Sequence, residues 1–427
     1  MADIRAFSGL VYASGAGSEV LAPPYDVIDD EGRRALADKS EHNAVHLILP
    51  QGEGDQRYAN AEQLFEAWRS EEVLTLTGRK ALYRYHQVFQ HPEAPEQTVT
   101  RRGLIAAVRL HRFDEKVILP HERTLKGPKL DRLNLMRATR AHLSPIFGLY
   151  SDPSGESDRL FEGAEERQPD FEGTTDDGTR HRLWVVDDAE LHGAYARIIG
   201  PKPLYIADGH HRYETMLAYR DELRDAAGGS LPADSSGEFA TMFLANMDDP
   251  GMLVMPTHRL IHSVADFDLG EFQKRLEAWF ERRPVDAEPG AIQAALHRLA
   301  RPGFVLALPD GSTELLELRA GKEHPALSGA VGSLDVSMLH TIVLEDIMGI
   351  DKAAQEAKTN IHYVQGIAKA LRGAVDHQAT FLLRPTTLAQ VRAVSDAGEY
   401  MPQKSTFFVP KLASGMLYRH IDAEQAI

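Results

Sequence analysis

Apolar positions along the chain fall into alternating helical and extended rhythms. Asp29 to Ala37 predicts a short helix, and Val45 to Leu49 a short strand. "YANAEQLFEAWRSEEVL" carries Ala61, Leu64, Phe65 and Trp68 at helical spacing. "ALYRYHQVF" and "RRGLIAAVRL" alternate between polar turns and predict two strands of one hairpin. "LDRLNLMRATRAHL" predicts a basic helix, and "PIFGLYS" a strand after it. The span 151–180 is acidic and rich in turn residues, and predicts a surface excursion with one short helix near Leu160. "HRLWVVDD" returns as a strand; 203–207 is the next, followed at once by a helix to about Arg224. "FATMFLANM" and "GMLVMPTHRLI" are mostly apolar and predict buried, paired strands. Two helices and a hairpin closed at Pro309-Asp310-Gly311 predict a small module over 266–325. The expected class is mixed α/β (α+β): a core over 1–265, the module over 266–325, and a C-terminal α/β segment over 326–427 that packs back on the core.

Composition narrows the function classes. A chain of 427 residues exceeds one simple core, and 43% hydrophobic with 26% charged residues is the balance of a folded protein. The net charge of −16, from 47 basic and 63 acidic residues, opposes generic binding to nucleic acid or anionic membranes. With no cysteine there is no disulfide, thiol nucleophile or thiolate metal site. "MADIRAFSG" lacks the pattern of a signal peptide, and no apolar run approaches the ~20 residues of a membrane span. The expectation is a soluble, cytoplasmic protein with no nucleic-acid or membrane partner; a homodimer is left open.

The chemistry concentrates in "LYIADGHHRY", residues 204–213. A buried strand meets a helix there through Asp208, Gly209, His210, His211 and Arg212. A helix N-terminus offers unpaired N–H groups and partial positive charge, glycine lets the backbone approach a ligand, and a guanidinium suits phosphate oxygens. Together they suit an anion, most often phosphate. A carboxylate beside phosphates usually holds Mg²⁺, which makes Asp208 the candidate metal residue; the plainer alternative is that Asp208 caps the helix. Zinc on adjacent His210 and His211 is disfavoured, and neither a Walker-type loop nor Gly-x-Gly-x-x-Gly is present. A second cluster, "ILPHERTLKGPKLDR", sets His121 and Glu122 among Arg123, Lys126, Lys129 and Arg132. An ionised Glu122 at a strand end can serve as a general base; ion pairs in a solvated loop are the competing reading.

These two segments resemble the ParB/sulfiredoxin-like superfamily, in particular its free-serine kinases, which carry an Asp-Gly-(His/Asn)-His-Arg turn between strand and helix and a His-Glu pair upstream. The whole chain resembles the family of domain of unknown function 1015, through "APPYDV" (22–27), "PTHRLI" (256–261) and "MPQKSTFFVPKL" (401–412) as well. The resemblance implies a ParB/sulfiredoxin-like catalytic core and a small-molecule kinase that moves a phosphoryl group from ATP or ADP, with Mg²⁺, to the hydroxyl of a free amino acid, serine first. It gives Glu122 the role of base and Asp208 that of organising the metal or the attacking hydroxyl. Gly209, His210, His211 and Arg212 would cradle the phosphates. His121, Arg259, Tyr25, Asp26 and Lys404 are candidate substrate contacts; a strand-edge salt bridge is the alternative for Arg259, turn formation for Tyr25 and Asp26, and a plain surface role for Lys404. The two motifs stand much further apart here than in the compact kinases, so 151–180 is expected to loop out as an insertion. A ParB-like nucleotide-hydrolysing regulator and an inactive nucleotide sensor are the competing functions; sulfiredoxin-like redox chemistry lacks its cysteine.

Overall fold

The computed structural model describes every residue except Ser14 and Leu125, with the side chains at 126–128 also outside the described set. The chain divides into two compact units. The first comprises Met1–Pro120, Thr124–Met252 and Pro410–Ile427; the second comprises His121–Arg123 and Leu253–Val409.

The first unit is built on a mixed sheet of nine strands among the described residues. Eight form its continuous path: β1 (Leu82–His91), β2 (Ala94–Arg109), β3 (Ile118–Leu119), β4 (Ile146–Tyr150), β5 (Phe171–Thr174), β6 (Arg180–Val186), β7 (Leu204–Asp208) and β8 (Phe239–Asn246). Their order is β3-β7-β4-β8-β2-β1-β6-β5, and Ile4–Arg5 pairs with β2 off the path. β1 and β2 are the expected hairpin. All eight residues of β8 are buried, because the strand is central, and such a strand reads as an unbroken apolar run. Most of the sheet is antiparallel, but β3 and β7 run parallel as neighbours, with Ile118 opposite Leu204 and Leu119 opposite Tyr205.

Helices α1 (Asp30–Lys39), α2 (Gln56–Ser70), α3 (Lys126–Thr139), α4 (Ala189–Ile199) and α5 (His210–Ala226) belong to this unit. Asp29 caps α1, its carboxylate accepting from the Gly32 N–H at 2.8 Å. Tyr213 and Met216 of α5 join Ile206, Leu104 and Leu244 in the core under the sheet. Phe65 and Trp68 of α2 pack with Leu36 and Tyr418 in a second core.

The second unit holds a six-stranded sheet of β9 (Thr257–Ile261), β10 (Phe280–Pro284), β11 (Gly303–Ala307), β12 (Thr313–Leu318), β13 (Ile361–Gln365) and β14 (Ala379–Leu382), in the order β10-β12-β11-β14-β9-β13. Its core stacks Phe280, Phe304 and Phe381; the last two meet edge to face at 5.6 Å, an arrangement that adds to the stabilisation from burial alone.

Four expectations change. Val45–Ile48 is a single helical turn rather than a strand. β8 and residues 253–261 do not pair: β8 sits between β2 and β4, whereas 257–261 lie between β13 and β14 of the other sheet. The span 266–325 has no sheet of its own, because β11 bonds to β14; of the segment 326–427, residues to Val409 belong to the second unit and Pro410–Ile427 to the first. The span 151–180 is not a loose excursion. Phe161 is fully buried, β5 pairs with β6, and Asp158 and Glu165 both bind the buried Arg84. In sheet order it is still an insertion, since β4 and β7, before and after it, are neighbours.

Candidate functional site

The strand-to-helix corner of the first unit forms as its residues dictate. Leu204–Ala207 are buried, Gly209 turns the chain at φ +92°, and the Tyr213 N–H closes the first helical bond on the Gly209 carbonyl at 2.9 Å. Gly209 is required twice over. Its φ is one that L-residues avoid, and a Cβ there would come within 3.0 Å of the Arg212 guanidinium.

Asp208 does not cap the helix. One carboxylate oxygen accepts from Arg212 Nη2 at 2.7 Å; the other accepts from Lys411 Nζ. Arg212 also donates through Nη1 to the Pro145 carbonyl at 2.5 Å. Burial opposes ionisation of Asp208, but Lys411 and then Arg212 overcome it and hold the acid well below the usual carboxylate range. Arg101 is a third cation in the field of Asp208. It is 1% exposed, lies over the Phe147 ring at 4.6 Å, and is drawn down to about 10 by burial, which leaves it charged at neutral pH. Its Nε donates to Gln87 Oε1 at 3.0 Å and its Nη2 to the Pro410 carbonyl at 2.5 Å, while Gln87 donates to the Lys411 carbonyl at 2.8 Å. Arg101 and Gln87 thus grip the backbone that presents Lys411. One carboxylate faces three cations at a helix N-terminus, a surplus that suits an anion.

His210 is buried beside this group; His211 is half-buried. Tyr25 stacks under Arg132 at 4.3 Å and shares with Arg212 the lining of a small cavity of about 40 Å³. Asp26 is exposed and does not line that cavity. Of the cations expected after Glu122, Lys129 is paired with Glu214 at 2.5 Å and Arg132 with Asp131; the side chain of Lys126 lies outside the described residues.

In the second unit, four candidates converge on the loop 401–406. His121 is buried, with Nε2 3.0 Å from Thr406 Oγ1 and its carbonyl accepting from the Met401 N–H at 2.8 Å. Glu122 Oε1 accepts from the Ser405 N–H at 3.3 Å. Arg259 is 1% exposed on the central strand β9, not at a strand edge. Its guanidinium donates to the carbonyls of Thr257, Gln403 and Lys404 and to His340. It therefore props the loop that carries Ser405, and those donors are committed to protein rather than to a substrate carboxylate. Lys404 is exposed, at φ +58°.

Both oxygens of Asp208, the residue expected to hold Mg²⁺, are engaged by cations in this structure. Sequence reasoning missed Lys411 and Arg101. The available signal was a lone cation inside an apolar run, Phe407-Phe408-Val409-Pro410-Lys411-Leu412-Ala413.

Fold and site define a mixed α/β chain whose cation-rich corner stands at the end of a sheet strand. The chain belongs to the family described as "Protein of unknown function (DUF1015)", whose model matches residues 4–337. Among solved structures, a free serine kinase mutant in complex with AMP is similar over 77% of this chain and 94% of its own, at 13% identity and a TM-score of 0.37. A conserved hypothetical protein from Pyrococcus furiosus is similar over 76% and 97%, at 15% identity and 0.35. A truncated SbnI from Staphylococcus aureus is similar over 73% and 86%, at 12% identity and 0.34. No curated protein matches the sequence significantly. No helix among the described residues is long and apolar enough to cross a membrane.

Proposed function

We propose that the protein is a small-molecule kinase that moves a phosphoryl group from ATP or ADP to the hydroxyl of a free amino acid, serine first. The observation that carries this reading is the parallel pairing of β3 and β7. The two strands run side by side in the same direction, the first leading along the chain to His121-Glu122 and the second to Asp208–Arg212. Ligands of α/β sheets gather outside the carboxyl ends of such strands.

Each residue then has one task. Arg212, Lys411 and the N–H groups of α5 hold the phosphates, and Asp208 fixes the two cations that touch it. Glu122 takes the proton of the acceptor hydroxyl as its oxygen bonds to phosphorus; the bond from phosphorus to the bridging oxygen breaks, and the shortened nucleotide leaves with that electron pair. Phosphoryl transfer asks of a protein mainly alignment, charge neutralisation and a base.

The test is product analysis with γ-labelled ATP or β-labelled ADP, Mg²⁺ and a pool of hydroxy amino acids. Wild type should yield a phosphorylated amino acid. Glu122→Gln should lower that rate by about 10²–10⁴-fold, the usual contribution of a general base, with nucleotide affinity kept. Hydrolysis alone, with no phosphorylated acceptor, would overturn the reading.

A further inference from the structure

A second cavity of the first unit, about 300 Å³, opens between α1 and the turn that joins β5 to β6. It is distinct from the cavity that holds Tyr25 and Arg212. Its α1 side is apolar, with Leu21, Pro23, Ile28 and Leu36; the opposite side is polar, with Thr175 and His181. Its volume lies at the lower end of the roughly 300–1,000 Å³ of small-molecule sites. Lys411 lines it, and the Nζ of that same lysine binds Asp208.

Charge gives the cavity a direction. Asp29, Asp176 and Asp177 belong to its wall, and the Lys39–Asp176 pair neutralises one of them. An anionic group is repelled from these acids and drawn to Lys411. The group that remains against Leu21, Pro23 and Leu36 must be neutral, with apolar faces and a hydrogen-bonding edge. A purine base meets that description, and a carboxylate is a good acceptor for ribose hydroxyls.

We propose that this cavity takes the nucleoside part of a nucleotide whose phosphates reach Lys411 and the Asp208–Arg212 corner. The assignment rests on the kinase reading and adds to it the seat of the donor's base. It also gives the α1 region a role in specificity, and Lys411 the role of the cation shared by base cavity and phosphate corner.

The probes are a fluorescent N-methylanthraniloyl ADP and inorganic tripolyphosphate. Ala35 lines the cavity from the exposed face of α1, so Ala35→Trp and the milder Ala35→Phe narrow the cavity without removing a core side chain. Both variants should weaken the ADP probe at least tenfold, Trp more than Phe, and leave tripolyphosphate affinity as in wild type. Lys411→Met should weaken both probes. If the Ala35 variants, folded by circular dichroism, bind the ADP probe as wild type does while Lys411→Met loses it, the cavity is not the base site and the kinase reading stands. If wild type binds neither ADP nor ATP, the kinase reading falls and this inference falls with it.

Discussion

Arg84 shows how this protein handles a buried charge. It is 1% exposed, and its guanidinium reaches Asp158 and Glu165 at 2.7 Å each. His86 adds a contact to Glu165 at 3.0 Å, and together these hold that acid down at about 2 against the opposing effect of burial. Breaking such a group leaves charges without their counter-ion, which costs about 3–5 kcal/mol. Arg84→Met should therefore lower the unfolding free energy from urea titration by that order; a loss under about 1 kcal/mol would show that the carboxylates find solvent instead. The same logic separates what the sequence disclosed from what it hid. Asp208–Arg212 stood out because four polar residues and a glycine end an apolar strand within one turn of chain. Lys411, its ion-pair partner, lies 203 residues away and draws attention only as one cation among apolar neighbours. Lys404, seven residues earlier, was the expected substrate contact, yet its side chain is exposed while its carbonyl serves Arg259.

At the level of elements, the β7-turn-α5 corner was legible because each part follows a local rule: an apolar strand, a glycine, then helical periodicity. Its dependence on Gly209 yields a prediction. Gly209→Ala places a Cβ 3.0 Å from Arg212 Nε and Nη2 and asks an L-residue to hold φ +92°. The backbone penalty is about 1–2 kcal/mol, and the crowding pushes Arg212 off Asp208 and Pro145. The variant should lose unfolding free energy of that order and bind tripolyphosphate at least tenfold more weakly; unchanged binding would mean that Arg212 does not hold phosphate. Elements set by non-local contacts were not legible. Val45–Ile48 has four residues in a row suited to either conformation, and only the surrounding core of Leu36, Tyr58 and Phe65 makes them helical. The apolar runs at 239–246 and 253–261 looked like a hairpin because a short polar loop joins them. Nothing in either run says that the chain leaves one sheet for another between Met252 and Leu253.

Across the whole molecule, both units bury histidines in neutral form. Burial brings His181 of the first unit to about 4, and His258 and His340 of the second to about 3 each. The sign follows from comparing states. Below the unfolded value of about 6.5 the unfolded chain takes up protons that the native chain refuses, so stability falls as pH drops from 6.5 toward 4. Each such histidine contributes a slope of up to about 1.4 kcal/mol per pH unit. The depressed carboxylates act later: Glu165 and Asp152, each at about 2, stabilise the native chain above their unfolded values near 4, and that support is lost as pH falls toward 2. Urea midpoints measured from pH 7.5 to 3 should therefore decline in two stages, the first beginning near 6.5 while every native carboxylate of this set is still ionised. His340→Gln, which keeps a polar side chain beside Gln355, should flatten the first stage and leave the second in place. A midpoint constant between pH 7 and 5 would mean that these imidazoles take up protons inside the native protein, and the burial that defines both cores would then be less complete than the packing around His181, His258 and His340 requires.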